Sequence, residues 1–276
     1  MRLGRILPLL LLGLLALAGT KAWADAAEDF KRGEEAFNIG QYETAMTWYR
    51  KAAEQGSAEA QFKLGLAYSE GTGVPQDFAQ AIEWYRKAAD QGHARAQNNL
   101  GYAYDHGEGV PRDPAQAVAW YRKAAEQGEP YAQRALAAAY ADGDGVAADP
   151  VQAAFWERKA AEHGDIQSQI MLAMAYASGK GVPQDLKQSA EWYRKAAEQG
   201  DGFAAASLGS QYAQGQGVQK DIGEAYMWFA IAAARGYPDA QQLRLKFQKE
   251  IGQSELDAAE QRAKDWLEEF QKRNGG

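Results

Sequence analysis

Few side chains in this chain have the chemistry for catalysis or metal binding, and their spacing speaks against both. The three histidines are His93, His106 and His163, with no second ligand at a metal-binding interval. His163 stands where other segments carry Gln before a Gly, and His106 is the one that falls on an outward helix face. There is no Cys, which excludes a disulfide framework, a thiolate metal site, a Cys nucleophile and an acylated lipoprotein terminus. Acidic residues are plentiful, 37 against 30 Lys and Arg, yet no dyad stands out and no Ser-His-Asp arrangement is visible. Five Gly-x-Gly-Val segments, beginning at Gly71, Gly107, Gly143, Gly179 and Gly215, could suggest phosphate cradles. They follow no strand and recur in register, so they read as loop geometry. Arg-Lys pairs at 50/51, 86/87, 122/123, 158/159 and 194/195 could form a basic stripe. They fall where a helix should end, where cations complement its dipole, and Arg50–Glu54, Arg86–Asp90 and Arg122–Glu126 form i,i+4 pairs. A net charge of −7 argues against nucleic acid as partner. The residues predict no catalytic site, no metal and no cofactor.

These groups must be positioned by repeated elements. Trp48, Trp84, Trp120, Trp156, Trp192 and Trp228 lie 36 residues apart, each opening a Trp-Tyr-Arg-Lys-Ala-Ala-like segment that ends in Gly. Self-similarity at this period signals a solenoid, whose units bury apolar faces by stacking on their neighbours. Each unit reads as two helices. In residues 57–92, Ala60, Leu64 and Tyr68 line one side of a first helix. Phe78, Ala81, Ile82, Trp84, Tyr85, Ala88 and Ala89 line one side of a second, with Glu83, Arg86, Lys87 and Asp90 opposite.

The boundaries are written in residue types. Asp77, Asp113, Asp149, Asp185 and Asp221 are placed to cap second helices, with Gln or Glu three residues on, an Asp form of the capping box. Pro114 and Pro150 suit the first helical position. Gly56, Gly92, Gly128, Gly164 and Gly200 suit left-handed helix ends, as does Gly71 with its equivalents. Gly33 to Ala45 is four residues shorter than Gly65 to Ala81, so the first unit lacks a loop insertion. Residues 255–273 read as a longer terminal helix, with Leu256, Ala259, Ala263, Trp266, Leu267 and Phe270 on one face.

The N-terminus reads as an export signal. Arg2 and Arg5 precede an apolar run from Ile6 to Gly19, and Ala22-Trp23-Ala24 supplies small residues at the cleavage positions. The run is shorter than the roughly 20 residues that span a bilayer. Cleavage after Ala24 would shift the formal charge from −7 to −10 by removing Arg2, Arg5 and Lys21. The expectation is a periplasmic or secreted protein without stable membrane insertion.

The unit Ala-x-x-x-Leu-Gly-x-x-Tyr-x-x-Gly-x-Gly-Val-x-x-Asp-x-x-x-Ala-x-x-Trp-Tyr-Arg-Lys-Ala-Ala-x-x-Gly resembles the Sel-one-like (Sel1-like) repeat, a relative of the tetratricopeptide repeat. Five units match: 57–92, 93–128, 129–164, 165–200 and 201–236. Residues 25–56 are closer to a plain tetratricopeptide-like pair, through Gly33, Gly40, Tyr42, Ala45, Tyr49 and Ala52. Residues 237–276 read as capping helices. The resemblance implies an all-α fold, an α/α superhelical solenoid of about seven helix pairs, used as a binding scaffold. Exported members resemble adaptors in envelope signalling, exopolysaccharide control, cell-wall processes and host interaction. One disulfide-rich branch binds or hydrolyses β-lactams, and the absence of its Cys pairs counts against that activity.

The first-helix face opposite the Ala/Leu/Tyr stripe lines the concave groove in tetratricopeptide-like arrays. Here it changes from unit to unit, which makes it the candidate surface for a protein or peptide partner. Its central residues are Arg95, Asn98, Tyr102, Tyr131 and Arg134, with His106 beside them. Tyr and Arg anchor interfaces, and Asn can clamp an extended backbone. Phe62, Leu66, Ile170 and Met174 are expected to flank them as apolar pockets.

Overall fold

The computed structural model describes residues 25–275; the expected signal segment, 1–24, lies outside the described residues. All regular structure among them is helical. A first helix, α1 (25–38), is followed by α2 (Tyr42–Glu54), α3 (Ala58–Glu70), α4 (Phe78–Asp90), α5 (Ala94–His106), α6 (Pro114–Glu126) and α7 (Pro130–Asp142). Then come α8 (Pro150–Glu162), α9 (Ile166–Ser178), α10 (Leu186–Glu198), α11 (Gly202–Gln214), α12 (Ile222–Ala234), α13 (Ala240–Gln248) and α14 (Gln253–Asn274). These are seven consecutive pairs, odd-numbered helix then even, stacked as a solenoid. None of the described helices is long and apolar enough to cross a membrane.

The described residues divide into two compact units, 25–132 with 144–146, and 133–143 with 147–275. In the first, Ala60 and Leu64 pack with Tyr49 and Ala52, and Leu100 packs with Phe62, Ile82 and Tyr85. In the second, Leu172, Leu208, Tyr226 and Phe229 belong to one core that extends to Leu256 and Ala259 of α14. Phe78 lies 37% exposed and Trp84 is half-buried, so the apolar face of α4 is narrower than its sequence suggests. The ammonium groups of Lys87, Lys123 and Lys195 sit 3.9, 3.9 and 3.7 Å above Trp84, Trp120 and Trp192, covering the outer ring faces.

The expected Asp caps form: Asp77, Asp113, Asp149, Asp185 and Asp221 accept from the third helical amide at 2.8–3.1 Å. The reciprocal half of the box does not. The Asp77 amide donates instead to the Tyr68 carbonyl, and Asp113, Asp149, Asp185 and Asp221 repeat this with Tyr104, Tyr140, Tyr176 and Tyr212. That bond ties the loop back onto the preceding helix and leaves the Gln side chain no amide to satisfy.

Both glycines of each Gly-x-Gly loop have positive φ, for different uses. The first ends the odd-numbered helix: the Gly71 amide donates to Ala67. The second presses on the preceding unit. A Cβ at Gly73, Gly109, Gly145, Gly181 or Gly217 would lie 2.0–2.7 Å from the backbone of Tyr42, Phe78, Pro114, Pro150 or Leu186, the first residue of the even-numbered helix one repeat earlier. Three residues, 39–41, join α1 to α2, where seven, 71–77, join α3 to α4, so the first pair lacks this loop.

Candidate interaction surface

Helix α5 positions four of the candidate residues. It starts at His93, whose Nδ1 accepts from the Ala96 amide at 3.2 Å. The ring proton therefore sits on Nε2, which lies 3.0 Å from Glu59 Oε2. His93 is a helix cap, and its ring stacks on Phe62 with centroids 4.6 Å apart. The Arg95 guanidinium covers the same Phe62 ring at 4.9 Å. Phe62 is thereby 1% exposed and belongs to the core, correcting its assignment as a groove pocket. Ile170 is corrected in the same way, at 6% exposed.

Arg95 and His106 are exposed and Asn98 is half-buried. Tyr102 is 46% exposed and stacks on His106 with centroids 4.0 Å apart. Leu66, Asn98 and Tyr102 meet at one cleft of ≈ 280 Å³, together with Phe78, Ile82 and Tyr85. In the same unit, Tyr131 near the start of α7 is 64% exposed.

In the second unit Arg134 is exposed, with Nε 3.6 Å from Asp165 Oδ2. Asp165 also caps α9 by accepting from Ser168 at 2.8 Å. Met174 is exposed beside Met171, and both line an apolar cleft. Sequence reasoning passed over Met171. The neighbour of Ile170 lies about 100° further around the helix, enough to turn it outward.

The remaining suspects serve the scaffold. His163 Nδ1 lies 2.9 Å from the Lys159 carbonyl oxygen and 3.2 Å from Gln133 Oε1. It takes the place of Gln91, Gln127 and Gln199, which donate to Gln61, Gln97 and Gln169 at 2.7–2.9 Å. Those inner glutamines donate in turn to the carbonyls of Ala53, Ala89 and Ala161. Arg50, Arg86 and Arg194 reach forward to the hydroxyls of Tyr68, Tyr104 and Tyr212 at 2.6–2.9 Å, and Arg158 to Tyr176. The expected Arg50–Glu54 and Arg86–Asp90 pairs are replaced by these contacts between successive pairs. No cluster of three or more potential metal ligands occurs among the described residues.

Stacked helix pairs, glycine loops that dock on the preceding pair and a variable odd-helix face define an α-solenoid repeat protein. The Sel1 repeat family matches residues 38–57, 58–93, 94–129, 130–165, 166–201 and 202–237. The chain belongs to the Sel1 repeat family. It is similar, at 38% identity and a TM-score of 0.79, to the crystal structure of c5321, a protective antigen present in uropathogenic Escherichia coli strains that displays the same fold. That alignment covers 92% of this chain and 55% of c5321, so the chain spans little more than half of that relative. A Sel1 repeat protein from Oxalobacter formigenes is 36% identical with a TM-score of 0.72, over 78% of this chain and 88% of its own. No curated protein matches the sequence.

Proposed function

We propose that the protein is an exported, non-catalytic scaffold that binds a protein or peptide segment on its odd-numbered helices. The observation that supports this reading is the exposure of two tyrosines, Tyr102 and Tyr131, at positions the stacking does not use. Exposed aromatic side chains beside an arginine are the anchors that interfaces favour. Arg95 holds its cation above Phe62 with its donors free toward solvent, and the Tyr102–His106 stack offers a flat face next to the Leu66–Asn98 cleft. Envelope signalling, cell-wall or exopolysaccharide processes are the settings in which such an exported adaptor works.

Photo-crosslinking in intact cells tests the surface. A benzophenone amino acid at Tyr102 or Tyr131 gives a discrete adduct that Arg95→Glu removes, while the thermal midpoint stays nearly unchanged. The same probe at exposed Glu83, on the outer side of α4, gives none. An adduct pattern shared by all three positions overturns the assignment. Export is checked on the protein recovered from its native host: removal of the signal after Ala24 leaves a chain beginning at Asp25, and retention of residues 1–24 refutes it.

A further inference from the structure

One repeat carries a carboxyl at a buried position that is aromatic in the others, Tyr49, Tyr85, Tyr121, Tyr193 and Phe229. In the Trp-Tyr-Arg-Lys segments the tyrosine ring lies against the preceding odd-numbered helix, as Tyr49, Tyr85 and Tyr121 do against Gly33, Gly65 and Gly101. The segment at 156 reads Trp-Glu-Arg-Lys, and Ala137 stands in the glycine position. The cleft beside Tyr85 recurs two repeats later beside Glu157, lined by the equivalent positions. Its chemistry has changed. Around Tyr85 the polar neighbours are Ser69 and Asn99, which hydrogen-bond the hydroxyl. Their counterparts around Glu157 are Ala141 and Met171, and Tyr102 is replaced by Met174.

Glu157 is thus a carboxyl group 8% exposed, on a cleft of ≈ 240 Å³ whose other walls include Ala154, Met171 and Met174. Its Oε2 has no hydrogen-bond partner. Burial pushes Glu157 up to about 7; Ser168 and Arg134 draw it down and Asp165 pushes it further up. Arg134 is itself paired with Asp165, so it does not neutralise the site. A buried acceptor without a donor is costly, and a ligand that brings the donor recovers that cost. An apolar wall leading to a carboxylate fits a flexible alkyl stem ending in a cation.

We propose that this cleft recognises a primary alkylammonium, supplied by a lysine side chain of the bound polypeptide, with its stem against Met171 and Met174 and its ammonium donating to Glu157. The inference rests on the scaffold reading only for the lysine being part of a polypeptide; the chemistry of the cleft stands on its own residues. Ser178 and Lys180 also line the cleft, both exposed. Lys180 forms no ion pair among the described residues, so it raises the selectivity question directly.

The test uses n-pentylammonium chloride as probe and the methionine methyl groups as reporters, in ¹³C-methyl-methionine protein observed by NMR. Met171 and Met174 resonances shift saturably, while Met46 and Met227, buried elsewhere, stay still. n-Pentanol and pentanoate shift them at least about tenfold more weakly at pH 8.5. The ammonium binds about tenfold or more tightly at pH 8.5 than at pH 5.5, because Glu157 is ionised only at the higher pH. The charged neighbours facing the carboxyl are Arg134, Asp165 and Lys180, and His163, capping the far end of α8, is controlled by His163→Gln, which leaves the response intact. Glu157→Gln abolishes both the pH dependence and the preference over pentanol. Equal binding of pentanol and pentylammonium, or an unchanged response in Glu157→Gln, overturns the proposal. So does a response that appears only in Lys180→Met, which would make the chain's own lysine the occupant. The probe contains no peptide, so its failure removes the pocket while crosslinking at Tyr102 and Tyr131 still judges the scaffold reading separately.

Discussion

Glu157 and Tyr85 occupy equivalent positions with opposite consequences for stability. A tyrosine buried there stays neutral at every ordinary pH, whereas the carboxyl must either hold a proton or place a charge in an apolar site. Its pKa of about 7 exceeds the ordinary 4.5, so the folded protein holds the proton more tightly than the unfolded chain does. Its contribution is complete below about 4.5 and is lost as pH rises toward 7. Urea denaturation between pH 4.5 and 8 should show the wild type losing about 2–3 kcal/mol relative to Glu157→Gln. Parallel curves for the two proteins would refute the burial argument. Phe62 and Ile170 teach a second residue-scale lesson. Their position lies at the edge of the helix face: the apolar Phe62 and Ile170 turn inward there, Asn98 is half-buried, and Arg134 stays exposed. Spacing placed all four on the groove face, and side-chain chemistry decided which way each residue went.

Helix boundaries were the most legible elements, because each is set by one or two residue types with a local job. The aspartate caps, Pro114 and Pro150 at first helical positions and the glycine helix ends all appear in the structure as their spacing suggested. The glutamine ladder was not legible, since a glutamine on a helix looks like solvent-facing filler until the carbonyl it meets is known. Gln97 is nearly inaccessible and joins Ala89 to Gln127. Gln97→Leu takes the side-chain donor from the buried Ala89 carbonyl and leaves the Gln127 amide only its bond to the Lys123 carbonyl, and calorimetry should register about 1–3 kcal/mol of lost stability. The glycine loops allow a sharper comparison. Gly92→Ala meets nothing within 4 Å and bears only the left-handed backbone cost, about 1 kcal/mol. Gly217→Ala, with φ +74, would bring a Cβ within 2.0 Å of the Leu186 carbonyl oxygen, and should cost about 2–4 kcal/mol. Equal melting temperatures for the two variants would show that the docking of that loop is not tight.

Within each of the two units packing is between neighbours in the chain: from α2 to α6 each helix meets the next, as from α8 to α13, and α12 also meets α14. Stability in such an array is a sum of unit and interface terms, so an open end matters more than in a globular core. The C-terminal end is closed by α13 and α14. Trp266 lies edge-on to Trp228 at 6.3 Å, Phe247 stacks on Phe229 at 5.4 Å, and the Tyr226 hydroxyl donates to Glu260 at 2.8 Å. The terminal helix could be read from its apolar stripe, but these partners could not, because α12 departs from the repeat text. Removing residues 237–276 should uncover Tyr226, Trp228 and Phe229, lower the thermal midpoint and make the protein self-associate in sedimentation velocity. A monomeric truncation melting at the wild-type temperature would count against α13 and α14 as the closing cap. The second loop glycine carries a different consequence. Because it docks on the backbone of the first residue of the even helix one period earlier, whether that residue is Tyr42, Phe78, Pro114, Pro150 or Leu186, the five loop junctions share one geometry at one interval. An in-frame duplication or excision of one whole period creates no novel seam. The number of repeats can therefore change by whole periods with the backbone docking of each loop preserved, and length becomes a variable that selection can adjust separately from the side chains each repeat displays.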